Sequence, residues 1–213
     1  MDIAIPIFDR ITALDAIGPY EVLSRLPGAR IRWVAIEPGQ YRTDNRMLTM
    51  IADEPLSAVP HPDIIMVPGG FGTRALLTPN PLLDWLRAAH ETSRWTTSVC
   101  TGSLLLGAAG LLKGLEATTH WAAHEQLRDF GATPTLKRVV EQGKVVTAAG
   151  VSSGIDMALT LIARIAGDEL AQSVQLGIEY DPQPPFHAGS PETAPKHIVE
   201  ALRARTRERL ARA

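Results

Sequence analysis

Cys100 is the only cysteine in this sequence, and its surroundings suit a nucleophile. It stands in Ser98-Val99-Cys100-Thr101-Gly102-Ser103, where an apolar run meets the thiol and small residues follow. A tight strand-to-helix turn needs small neighbours, and it lifts a reactive side chain out of the sheet. At a helix N-terminus the dipole and free N–H groups favour the thiolate, drawing the thiol pKa below its usual value of about 8.5. A lone cysteine is otherwise a small buried hydrophobe. Its position at a strand end favours the nucleophile.

Other segments offer chemistry to such a thiol. Pro68-Gly69-Gly70-Phe71-Gly72 follows an apolar run. Its glycines let backbone approach a ligand, and its N–H groups could hold developing negative charge. It lacks the Gly-Lys-Ser/Thr ending of a phosphate loop. Asp15 opens a helical pattern in Leu14-Asp15-Ala16-Ile17-Gly18-Pro19. On its own it reads as a dipole-friendly acid. At the carboxyl edge of a sheet it could instead reach the thiol as acid or base. His120 and His124 lie one helical turn apart. A Cys–His pair could activate a thiol, but spacing singles out neither histidine. Glu125 is misplaced for a zincin motif, so a metal is not expected. Gly150-Val151-Ser152-Ser153 precedes a helical pattern, and its Ser and Gly residues could cap that helix and line the site.

The elements that must position these residues alternate between two periodicities. Apolar runs at Ile3 to Phe8, Ile31 to Ile36, Met47 to Ile51, Asp63 to Val67 and Trp95 to Val99 read as strands. Val139-Val140 and Lys144 to Thr147 read as a hairpin across Gln142-Gly143. Helical spacing marks Leu14 to Leu26, Pro81 to Thr92, Thr101 to Leu112, His120 to Phe130 and Ser153 to Ala166. Two further helices are expected at 168–178 and 195–211, around a Pro-rich loop. Such alternation predicts an α/β fold with a mostly parallel central sheet covered on both faces. Ligands in these folds bind beyond the carboxyl ends of the strands, where Pro68-Gly69-Gly70 and Cys100 both fall.

Composition narrows the function. The 213 residues suit one domain along the chain, 1–213, with no linker in view. Hydrophobic residues make up 45% and charged residues 21%, an ordinary globular balance. A net charge of -2 gives no electrostatic case for nucleic acid. The local exception is the run Arg203, Arg205, Arg207, Arg209 and Arg212, which with Glu200 and Glu208 reads as a solvated helix face. MDIAIPIFDR lacks the basic start of a signal peptide, and no apolar run nears the roughly 18 residues of a membrane span. One cysteine leaves no internal disulfide and no cysteine-based zinc cluster, so a reducing, cytoplasmic setting is the default.

Taken together, Leu14-Asp15-Ala16-Ile17-Gly18-Pro19, Pro68-Gly69-Gly70, Ser98-Val99-Cys100-Thr101-Gly102, Ala117-Thr118-Thr119-His120-Trp121 and Gly154-Ile155-Asp156 resemble the DJ-1/PfpI superfamily. Glu179-Tyr180-Asp181-Pro182-Gln183-Pro184-Pro185-Phe186 and Ala188-Gly189-Ser190-Pro191 extend the likeness, which is nearest to the isocyanide-hydrating branch. The resemblance implies a flavodoxin-like three-layer sandwich, of the class I glutamine amidotransferase type, in a homodimer without metal or organic cofactor. It implies hydration of an isocyanide to an N-formamide through a thioimidate on Cys100. Asp15 would manage the proton and activate water. Thr101 and the backbone amides of Gly70 and Phe71 would position or polarise the site, with Gly150 beside them. Many superfamily members carry Glu where this chain has Asp15, and the shorter side chain suits the hydratase branch. The chain departs from that branch in Ala148-Ala149-Gly150, where glycines are usual. Two other readings remain within the superfamily. One is a redox or ligand sensor, like the amino-terminal domains of AraC-type regulators without their helix-turn-helix region. The other is a different hydrolase or glyoxalase.

Overall fold

The computed structural model describes residues 1–211. Two compact units form, Met1–Ile178 and a second from Glu179 onward. The first contains strands β1 (Asp2–Pro6), β2 (Arg30–Ala35), β3 (Gly39–Arg42), β4 (Thr49–Ala52), β5 (Glu54–Pro55), β6 (Ile64–Val67), β7 (Trp95–Val99), β8 (Glu116–Ala117), β9 (Thr133–Pro134), β10 (Val139–Gln142) and β11 (Val145–Ala148). Its helices are α1 (Ala13–Leu23), α2 (Pro81–Thr92), α3 (Gly102–Ala108), α4 (Ser153–Ala166) and α5 (Asp168–Gly177). The second unit contains α6 (Lys196–Ala211), which carries the arginine run as far as Arg209. Arg212 lies outside the described residues.

The main sheet has the order β10-β11-β7-β6-β1-β2-β5, with every pair parallel except β10 and β11. All four residues of β6 are buried, as are four of the five in β1. Continuous apolar strands of this kind need cover on both faces. On one side α1, α4 and α5 pack together, and α2 packs with α3 on the other, giving the three-layer α/β sandwich. From β1 the chain steps to β2 on one side and later returns to β6 on the other. The topological switch therefore lies between β1 and β6, where a crevice opens at the carboxyl ends of the strands.

Three elements differ from the sequence reading for identifiable reasons. Met47 to Ile51 is a strand only from Thr49 on, and it does not join the main sheet. Met47 and Leu48 lie outside β4, which pairs antiparallel with β3 in a separate two-stranded sheet. Ile51 is half exposed there while Met50 and Ala52 turn to the core, so the segment has one buried face where the main-sheet strands have two. Trp121–Phe130 winds as 3-10 turns and buries only Ala123 and Leu127, too narrow an apolar stripe to anchor a regular helix. Helix α3 ends at Ala108, and Gly110 follows at φ 83, a left-handed stop.

The approach of α1 to α4 fixes where Asp15 sits, and it depends on Gly154. A Cβ there would meet Val99 Cγ2 at 2.9 Å and Pro19 Cγ at 3.0 Å. Both neighbours are themselves packed in the core or in α1, so neither can swing into solvent. Overpacking a dense core costs about 1–3 kcal/mol. Gly154→Ala should lower stability in chemical denaturation by about that amount and reduce whatever activity depends on Asp15. Unchanged stability and activity would show that the helices part easily.

Candidate active site

The crevice at the switch point gathers residues from four strand ends. Asp15 follows β1, Gly69 and Gly70 follow β6, Cys100 ends β7, and Gly150 and Val151 follow β11. Cys100 adopts φ 56, left-handed and unusual for a residue with a side chain. That strain persists only where the surroundings over-determine it. Here the Cys100 N–H donates to Ala148 O at 3.1 Å and Ala149 O at 2.8 Å. The Cys100 carbonyl accepts from Ser103 Oγ at 3.1 Å and Thr119 Oγ1 at 2.9 Å. The backbone is thus pinned on both sides and the thiol is turned out of the sheet, though only 5% of the residue is exposed.

Asp15 is fully buried. Its Oδ2 accepts the Gly69 N–H at 3.0 Å. Oδ1 has no nitrogen or oxygen partner, and the thiol of Cys100 is the hydrogen-bonding group left to the carboxyl. Gly69 makes this approach feasible. A Cβ on it would stand 2.5 Å from Thr101 N, 2.7 Å from Thr101 Oγ1 and 2.9 Å from Asp15 Oδ2. The Thr101 hydroxyl holds the same turn. It accepts from the Gly70 N–H at 2.9 Å and donates to Gly70 O at 3.1 Å. The Gly70 amide is therefore spent on Thr101 rather than offered to a ligand, and Thr101 clamps two strand ends together.

Burial dominates the electrostatics. It raises the Asp15 pKa from 3.8 to about 7, against the hydrogen bonds from Cys100 and Gly69, with the nearby Asp44 charge adding to the rise. Burial also pushes the Cys100 thiol up, and the Asp15 carboxylate adds to that. The N–H groups of Thr101 and Val151 pull it the other way and are outweighed. The expectation of a thiolate favoured by the helix dipole is therefore reversed. A seven-residue helix cannot offset a dry site with a carboxylate beside the sulfur. Asp15 and Cys100 form a coupled pair of acids, and its protons belong to the pair rather than to either residue.

The remaining candidates fall around this pair. Gly150 packs against the His120 ring, and its carbonyl accepts from Ser153 N and Oγ at 3.1 and 3.0 Å. Val151, held at φ 33, is the residue of that loop whose N–H meets the sulfur. Phe71 lies beneath the Arg74 guanidinium, 5.6 Å from its ring centroid. His120 is partly buried, and burial with the nearby Arg74 charge lowers its pKa to about 4, so it is neutral. Among the described residues no group of three or more His, Cys, Asp and Glu is placed to hold a metal. Sequence reasoning missed Arg74 and Val151. Arg74 belongs to no motif, although it lies two residues beyond the glycine-rich turn, and Val151 stands in a segment noted only for its Ser and Gly residues.

The profile of the DJ-1/PfpI family matches residues 1–164, which include the whole site. An isonitrile hydratase of Pseudomonas putida is 43% identical over 207 residues, covering 96% of this chain and 90% of that protein. The transcriptional regulator CdhR of Pseudomonas aeruginosa is 31% identical over 176 residues, covering 80% of this chain but 51% of the regulator. The crystal structure of a ThiJ/PfpI family protein from Pseudomonas syringae superposes with a TM-score of 0.94 at 37% identity, covering 97% of this chain and 86% of that one.

The raised Asp15 pKa links the site to stability. The folded protein holds this proton more tightly than the unfolded chain does, so the contribution is fully present below about pH 4. It is lost as pH rises through about 7. At about 1.4 kcal/mol per unit, the loss approaches 4 kcal/mol. Asp15→Asn, which cannot ionise, should gain stability relative to the wild type as pH rises from 5 to 8. Thermal melts across that range would check this, and parallel curves for the two proteins would show that Asp15 titrates normally.

Proposed function

Because this chain belongs to the DJ-1/PfpI family, we propose that it is an isonitrile hydratase, a lyase converting R–N≡C and water to R–NH–CHO. The observation that carries this reading is the buried Asp15–Cys100 pair at the switch point of a chain 43% identical to such an enzyme over 96% of its length. No helix among the described residues is long and apolar enough to cross a membrane. A mechanism that needs a free thiol fits a reducing, cytoplasmic compartment.

The chemistry follows from the shared proton. An isocyanide carbon becomes electrophilic as it gains a proton, so it needs a nucleophile and an acid at one point. With one proton on the pair, sulfur attacks the terminal carbon while that proton passes from Asp15 to the same carbon. The S–C and C–H bonds form together, giving the thioimidate Cys100–S–CH=N–R and an Asp15 carboxylate. The Thr101 and Val151 N–H groups hold the sulfur's charge before attack. The carboxylate then takes a proton from water as the water oxygen bonds to carbon and the nitrogen is protonated. Collapse expels the sulfur and releases the N-formamide. Of the two water protons, one ends on nitrogen and the other returns to the pair. Nucleophile, acid/base and preorganised donors are thus all supplied by the chain itself.

A homodimer belongs to this reading. Met47 is 86% and Ile51 56% exposed, and Leu48, Leu14 and Ile17 are also open. The hairpin is tied to the start of α1 by the Asp44 N–H on Ile11 O at 2.9 Å and by Thr12 Oγ1 on Asp44 Oδ2 at 3.0 Å. These side chains therefore belong to connected elements, and an apolar face of this kind suits a second copy of the chain.

Two experiments test the proposal. Purified protein should turn over an aryl isocyanide many times, with formamide appearing. Cys100→Ala should abolish turnover, and Asp15→Asn should lose at least about 100-fold. In the wild type kcat/KM should climb as pH passes through about 7, as the pair loses its second proton, and then level. No turnover by fresh reduced protein would remove the hydratase reading. Light scattering should give twice the 23.0 kDa chain mass, and Met47→Glu with Ile51→Glu should bring it toward the monomer. A wild-type monomer would refute the dimer.

A further inference from the structure

Beside the nucleophile stands a cation that interacts with the Cys100 sulfur when that is ionised and pairs with no carboxylate among the described residues. Arg74 Nη1 donates to Gly70 O and to Thr73 Oγ1, both at 3.2 Å. Gly70 O is the same oxygen that takes the Thr101 hydroxyl at 3.1 Å, so the guanidinium is one carbonyl away from the residue following Cys100. The side chain is largely buried, and Nε is enclosed without an acceptor. Among the described residues no carboxylate pairs with Arg74, whereas the other close Arg–carboxylate pairs lie mostly at the surface. Nη2 has no acceptor among the described residues either. Desolvated cations are normally paired, because the lost hydration must be offset.

A second donor lies within electrostatic reach of Arg74. His120 Nδ1 accepts the Ala122 N–H at 3.2 Å, which leaves the proton of the neutral ring on Nε2. That N–H has no acceptor among the described residues. The ring packs on Gly150, next to Ala149, whose carbonyl takes the Cys100 N–H. Its neighbour Thr119 holds the Cys100 carbonyl. Arg74 and His120 are thus each tied to backbone next to the Cys100 turn, near enough for each to feel the other.

We propose that Arg74 and His120 receive an anionic group of the substrate, so that the isocyanide this protein prefers carries a carboxylate. This deepens the hydratase reading and rests on it. A carboxylate between a guanidinium and an imidazole N–H gains charge-assisted hydrogen bonds from both. Holding that end places the isocyanide carbon at the sulfur. Arg74 and His120 bind and position, and they take no part in bond making.

The test compares isocyanoacetate with its methyl ester, two isocyanides that differ in the charge. The wild type should favour the carboxylate in kcat/KM by at least about tenfold, mainly through KM, since each tenfold is about 1.4 kcal/mol of differential binding. Arg74→Gln should bring the carboxylate-to-ester ratio toward one, and His120→Phe should lower it. Arg74→Lys keeps the charge without the planar fork and should retain part of the preference, which guards against a variant that merely folds poorly. Turnover of both compounds with a ratio near one would overturn the inference and leave the hydratase reading standing. So would a preference that survives Arg74→Gln, or an equal loss on both compounds, which would make Arg74 an electrostatic aid to the sulfur. Turnover of neither would overturn both.

Discussion

Two acids that share a dry site set the terms for the rest of this protein. Asp15 is held where its carboxylate is costly, and Cys100 is held where its thiolate is costly beside that carboxylate. A displacement of about three pK units is worth about 4 kcal/mol, a large part of the 5–15 kcal/mol by which a domain is usually stable. Nothing in the pair itself offsets this at neutral pH. The offset comes from the buried strands β1 and β6 and from the α1–α4 contact. The site is therefore placed where four strand ends are already held by the core.

The pair also explains how the nearby backbone donors are used. The N–H groups of Thr101 and Val151 serve the sulfur, and that of Gly69 serves Asp15. The Gly70 N–H serves the Thr101 hydroxyl. In many acyl-transfer sites such donors wait for charge that develops on substrate oxygen. An isocyanide has no such oxygen before water adds. Its first step moves a proton to carbon and charge away from sulfur. Donors aimed at the sulfur, with an acid at hydrogen-bond range, match that order of events.

Much of this was legible in the residues because it depended on local pattern. An apolar strand running into Cys100-Thr101-Gly102 predicts an elbow, since only small neighbours fit the turn. The alternation of elements predicts the sheet, and the sheet predicts that Pro68-Gly69-Gly70 and Cys100 meet at one edge. Asp15 was a different matter. Its own surroundings read first as an ordinary first-turn acid, with acid or base work at the sheet edge as the alternative, and the resemblance chose between them. The ionisation of the thiol was read with the wrong sign, because a helix N-terminus is visible in sequence and the depth of burial is not. Val151 and Arg74 were invisible for a related reason. One acts through its amide, and the other through the absence of a partner, and neither property belongs to a residue type.

That absence bears on how a site of this kind acquires specificity. With the closest backbone donors committed to sulfur, carboxyl and loop, recognition of the rest of the substrate falls to side chains at the rim. Arg74 stands over the Phe71 ring, and His120 keeps one ring N–H free of any acceptor among the described residues. A purely apolar rim would select by shape, and a methylene more or less in such a pocket changes binding by only about 1–3 kcal/mol. An unpaired guanidinium selects by charge, because a substrate without an acceptor leaves it unsatisfied. The proton chemistry can then stay the same in relatives while the rim changes. In the proposed reading, the reacting pair and the group that chooses its substrate are separated by a single turn, Gly69 to Arg74, and are joined through the Gly70 carbonyl.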